Sequence, residues 1–190
     1  IRDSSTSRGL GDVYKRQRTY TININRQAAS ANNAGGNNNQ NNNNQNNTDV
    51  NITSGKYSIG TYITGIEPGT GAADFVKNIA VSASGTVKLL TSSGSENSGK
   101  IATGNKVAVY DASGNLKKTY DIVIYGDING DGAVNALDMI KLNRHILGKG
   151  TLTGAYLEAA DANRKRDGGN ALDMIIMNRH ILGKSKISQN

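Results

Sequence analysis

Apolar positions recur with two different periods along this chain, and the change of period divides it. Residues 18–25, RTYTININ, set Tyr20, Ile22 and Ile24 on one face and polar residues on the other. That alternation is the mark of a half-buried strand, and 18–27 reads as the last strand of a domain upstream. Between 55 and 125 the same period returns in short stretches. KYSIGTYITGI alternates around Gly60, and GTVKLL makes a short strand. NKVAVYDASGNLKKTYDIVIY reads as two strands joined by a turn over 111–115, punctuated by Ser113 and Gly114. Thr70 is placed to N-cap a short helix over 72–76. These signals predict a small β-rich module of α+β or sandwich type.

After residue 126 the period becomes helical. Met139, Leu142 and Ile146 stand at i, i+3 and i+7, flanked by Ile140 and Leu147. The pattern predicts a helix that starts near Ala136 and stops at Gly148, a favourable residue just past a helix end. The same text then recurs. NALDMIKLNRHILGK at 135–149 returns as NALDMIIMNRHILGK at 170–184, an offset of 35 with 13 of 15 positions identical. Such self-similarity marks a duplicated supersecondary unit. The stripe Met139, Leu142, Ile146, with Ile140 and Leu147, is expected to pack on Met174, Met177, Ile181, Ile175 and Leu182. His145 and His180 hold equivalent places near the helix ends, where solvent exposure is expected rather than catalysis.

Composition narrows the picture. The apolar share is 36% and the aromatic share 5%, so the part that builds a core is shorter than the 190-residue chain. Residues 28–54, with NNAGGNNNQNNNNQNN inside them, hold too few large apolar side chains to offset ordering entropy and are expected to be a linker. Residues 1–17 resemble a translated sequencing adapter, in particular DVYKRQ, and are expected to be an artefact. The absence of cysteine excludes disulfides and thiolate chemistry. No run of about 18 apolar residues is present, so no membrane span is expected. The net charge of +7 is spread along the chain, and more than half of it lies in the first 27 residues. No basic face of the kind that tracks phosphates emerges, which argues against nucleic acid.

Each helix of the repeat follows an acidic, glycine-containing loop. In the first, oxygen side chains fall at positions 1, 3, 5, 9 and 12, namely Asp127, Asn129, Asp131, Asn135 and Asp138, with Gly132 at position 6. Alternate residues of a tight loop point inward, and Ala133 at position 7 offers its carbonyl. A hard cation such as calcium takes about 6–8 oxygen ligands, which this arrangement can supply. Asn135 and Asp138 also form an N-cap pattern compatible with that role. The second loop offers Asp161, Asn163, Asp167, Asn170 and Asp173, but it has 13 residues where the first has 12. Counting forward puts Lys165 at position 5; counting back puts Arg166 there. In a third alternative the loop bulges, and Asp167-Gly168 take the roles of Asp131-Gly132. With Arg164, Lys165 and Arg166 in a row, the second site is expected to bind calcium more weakly.

YGDINGDGAVNALDMIKLNRHILG and AADANR…NALDMIIMNRHILG together resemble a type I dockerin, over about residues 125–189. The resemblance implies a chain of α+β class: a small mostly β module over 55–125, then an all-α dockerin over 126–190 with two calcium loop–helix repeats. It implies binding to a cohesin on a scaffold or cell-surface protein. Carried over residue by residue, partner recognition would use Ala136, Leu137, Asn143 and Arg144 and their copies Ala171, Leu172, Asn178 and Arg179. Near-identity of the copies suggests docking in two orientations. An extracellular or bacterial cell-surface location and a part in polysaccharide breakdown go with it. The β module holds only Glu67, Asp74, Glu96, Asp111 and Asp121 as acids, scattered and without tryptophan platforms. The chain is therefore not expected to be an enzyme; any catalytic domain, such as a glycoside hydrolase, would lie upstream. A surface-adhesin tail is the other alternative.

Overall fold

The computed structural model of the protein describes residues 49–190. The expected adapter segment, the strand at 18–25 and the linker as far as residue 48 lie outside the described residues. The ordered module begins before residue 55. Val50 and Ile52 are buried, and strand β1 (Ile52–Thr53) pairs antiparallel with β4 (Ala80–Val81). The boundary therefore moves, because two apolar residues close to the asparagine run find a core to enter.

A five-stranded sheet follows, in the order β2 (Ser58–Ile59), β3 (Tyr62–Thr64), β7 (Leu116–Ile122), β6 (Lys106–Tyr110), β5 (Thr86–Leu90). The β6–β7 hairpin turns where Asp111, Ser113 and Gly114 predicted. Asp111 Oδ1 accepts the N–H groups of Ser113 and Asn115, and Gly114 adopts a positive φ. The pairing of β3 with β7 is parallel, whereas the other pairings are antiparallel. Helix α1 (Ala72–Val76) lies where expected, but its N-cap is Gly71; the Thr70 hydroxyl donates instead to the Glu67 carbonyl. Phe75, on α1, stacks on Tyr57 at 5.0 Å in the core beneath the sheet.

Three helices follow: α2 (Ala136–Ile146), α3 (Gly154–Ala160) and α4 (Ala171–Ile181). Helix α3 falls between the two loop–helix repeats, so the second loop has a helix on both sides. Its signal was present: Ala155 and Ala159, at i and i+4, form a small buried face that permits close packing.

The end of β7 serves two cores at once. Ile122 and Ile124 enter the core of the β module, while Val123 and Tyr125 point the other way, into the helical core with Leu142, Met177, Ala159 and Ile187. Period-two alternation makes this possible, since neighbouring side chains leave opposite faces of a strand. The C-terminal tail seals the junction: the Gln189 side chain accepts from Tyr125 N–H at 2.8 Å and donates to the Tyr125 carbonyl at 3.0 Å.

Candidate functional site

The strand emerging from β7 runs directly into the first acidic loop, and Asp127 at its start is fully buried. Its Oδ1 accepts from the N–H groups of Gly130 and Asp131 at 2.9 and 3.1 Å. Its Oδ2 accepts from Gly132 at 3.1 Å and from Thr103, in the β module, at 2.8 Å. Asp138, the first-turn residue of α2, reaches back across the loop. Its Oδ1 accepts from Ile128 and Asn129, both at 2.8 Å, and its Oδ2 accepts from Asn135 N–H at 2.9 Å. Asn135 in turn accepts from Leu137 N–H, completing the capping box that the sequence foretold. Asn129 and Asp131 stand at the open side, joined by a 2.8 Å hydrogen bond from Asn129 Nδ2.

This loop concentrates negative charge where water is excluded. Burial pushes the Asp127 carboxyl up to about 6; the nearby Asp138 charge adds to the effect, and the N–H groups of Thr103, Gly130 and Gly132 oppose it. Burial likewise raises Asp138. For Asp131, burial is outweighed by hydrogen bonds from the Asn129 side chain, the Ala133 N–H and the Asn135 side chain, and by the Lys100 charge, so its pKa falls below the ordinary value. A bound divalent cation would offset the cost of holding such carboxylates ionised.

The second loop answers the counting ambiguity. Gly130 and Gly132 take φ values of 78° and 80°; Arg164 and Arg166 take 57° and 58°. The N–H of Asp131 donates to Asn129 Oδ1 at 2.8 Å, as that of Lys165 donates to Asn163 Oδ1 at 2.8 Å. The N–H of Gly132 donates to Asp127 Oδ2, as that of Arg166 donates to Asp161 Oδ2. The forward count therefore holds: Lys165 occupies position 5 and Arg166 the glycine position. The bulge in which Asp167-Gly168 replace Asp131-Gly132 is not formed, and residues 167–169 absorb the extra residue. Asp167 still joins the acidic group by another route. Asp161, Asp167 and Asp173 each bring a carboxylate oxygen within 4.8 Å of the others, the only such acidic or histidine group among the described residues. Asp173 repeats the capping box of Asp138, and burial raises its pKa. Arg164, Lys165 and Arg166 are exposed, and Arg164 lies over the Tyr125 ring at 5.8 Å.

Both loops thus present carboxylates and amide oxygens, a hard donor set suited to calcium. Asn163 Nδ2 in the second loop is also buried with no hydrogen-bond partner. Residues 125–182 match the family model of the dockerin type I domain. Dockerin domains bind calcium and cohesins. The matched dockerin segment is just under a third of the chain. No curated protein matches the chain.

All eight residues expected to meet a partner are exposed: Ala136, Leu137, Asn143 and Arg144 on α2, and Ala171, Leu172, Asn178 and Arg179 on α4. The expected helix-to-helix stripe is only partly formed. Leu142 and Met177 are fully buried, and Met139 and Met174 are half-buried. Ile140, Ile146 and Leu147 face outward, as do Ile175, Ile181 and Leu182. Asp138 and Asp173 decide this, because their inward hydrogen bonds fix the rotation of each helix. Leu137, Ile140 and Leu147 and their copies therefore form two matching apolar ridges, each residue 55–58% exposed. The histidines are half-buried and do structural work: Nδ1 of His145 accepts from Leu152 N–H at 3.3 Å, and Nδ1 of His180 from Ile187 N–H at 3.1 Å.

Proposed function

We propose that the chain is a calcium-dependent docking module that grips a cohesin through its two helix ridges. The observation that carries this reading is the pair of exposed ridges, Leu137, Ile140, Arg144 and Leu147 on α2 and Leu172, Ile175, Arg179 and Leu182 on α4, each on a helix that grows from an acidic loop. Large apolar side chains beside an arginine make a composition typical of interface hot spots. Duplication of the ridge supports docking in either of two orientations. The module then anchors its parent protein to a scaffold or cell surface outside the cell, in the service of polysaccharide breakdown. Any catalysis belongs to a separate domain.

Calcium is the proposed ion of both loops, held by Asp127, Asn129, Asp131, the Ala133 carbonyl, Asn135 and Asp138 in the first and by Asp161, Asn163, Asp167, Asn170 and Asp173 in the second. The second binds more weakly. Residues 127–138 carry three acids and no base, whereas 161–173 carry three acids and three bases. Titrating a cohesin into the protein with calcium and with EDTA tests the reading. Binding with calcium and none with EDTA supports it. The combined substitution L137A/R144A/L172A/R179A should abolish binding, while either half alone should spare it. Full affinity in the fourfold variant, or in EDTA, refutes the reading.

A further inference from the structure

The two calcium loops are close copies, yet their surroundings differ. Asp161 accepts hydrogen bonds from Lys165 and Arg166, both within its own loop. Asp127 accepts one from Thr103, 24 residues earlier and in the β module. That donor is itself held in place: the Thr103 hydroxyl donates to the Ile124 carbonyl at 3.2 Å and accepts from Ile124 N–H at 3.1 Å. Further contacts press the first loop against the β module. Gly69 N–H donates to the Gly132 carbonyl at 2.9 Å. A Cβ at Gly132 would lie 2.5 Å from the Ile101 carbonyl oxygen, and one at Gly130 would lie 2.9 Å from that of Thr103. Only glycine lets the loop approach the module so closely, and both glycines also need their positive φ.

We propose that the 100–105 loop of the β module is a working part of the first calcium loop, with Thr103 as a positioning residue that aims the Asp127 carboxylate, so that ion affinity in the first loop but not the second depends on the β module. This rests on calcium being the ion. Groups that hydrogen-bond a metal ligand orient it and tune its basicity, and losing one typically weakens metal binding about 10–100-fold. The β module is thereby more than a spacer. It stiffens one of the two otherwise equivalent loops.

The full chain, labelled with nitrogen-15, is titrated with calcium alone, and each loop is followed by its own amides: Gly132 for the first, Arg166 and Asn170 for the second. The Thr103 amide should shift with Gly132, not with Arg166, and should exchange its hydrogen more slowly once the first loop fills. Thr103→Val, which keeps the side-chain shape but removes both hydroxyl bonds, should weaken the first loop about tenfold and leave the second within about twofold. Equal weakening of both loops, no weakening of either, or a Thr103 amide indifferent to the first transition overturns the proposal. If the variant fails to fold, shift and exchange in the unaltered chain decide. Failure of either loop to bind calcium would instead sink the functional reading beneath it.

Discussion

Acid should stabilise this protein when calcium is absent and weaken it when calcium is present. The reversal comes from Asp127, whose carboxyl is raised from 3.8 to about 6, chiefly by burial. A raised carboxyl binds more protons folded than unfolded between those two values, so metal-free stability falls as pH rises through that window. Two pKa units correspond to about 3 kcal/mol, fully lost above about pH 7 and about half recovered at pH 5. Asp138 and Asp173, also raised, act in the same direction. For a body of this size the recovery is about 3–6 °C in Tm between pH 7.5 and pH 5. Calcium inverts the sign, because the ion needs the ionised carboxylate and protons compete for it below about pH 6. The assay is thermal unfolding by circular dichroism in EDTA and in excess calcium across that range. D127N is the comparison. Its amide nitrogen can face the N–H groups of Thr103 and Gly132 and cost it their hydrogen bonds, but it carries no buried charge, and its metal-free pH slope lacks the Asp127 part. A metal-free Tm that falls on acidification in the natural chain relative to D127N refutes the reasoning.

Gly132→Ala combines a left-handed backbone with a clash against the Ile101 carbonyl and should cost about 3 kcal/mol or more in denaturant unfolding, against at most a few tenths for Gly114→Ala beyond its own backbone strain, because nothing lies near Gly114. Asp167→Ala should weaken the second calcium transition seen by calorimetry and leave the first unchanged; equal heats and affinities for both would contradict the acidic grouping at 161, 167 and 173. The gap between the two affinities should narrow as salt rises, because the three bases of the second loop are exposed and screened. His145→Ala removes the acceptor for Leu152 N–H and should cost about 1 kcal/mol in stability, with cohesin affinity in calcium unaltered.

Local features of the chain were settled by the sequence alone. The duplicated loop–helix text, the capping pairs Asn135 with Asp138 and Asn170 with Asp173, the turn at 111–115 and the strands around it depend on residues a few positions apart, and their signals lie in that short range. The acidic loops were legible for the same reason. Helix rotation was not. Residues 136–147 are apolar on more than one side, so the pattern permits either stripe to turn inward, and the buried Asp138 settles it by reaching back to Ile128 and Asn129. The count through the second loop also needed the backbone, since only the hydrogen bonds from Lys165 N–H to Asn163 and from Arg166 N–H to Asp161 reveal which residues stand in for Asp131 and Gly132. The union of module and loop was the least legible feature of all. It depends on a Thr103 amide 24 residues from its acceptor and a Gln189 side chain 64 residues from Tyr125, and contacts at such separation leave no period in the chain. They exist because one strand end, at 122–125, alternates its side chains between two cores, which only folding brings to its opposite faces.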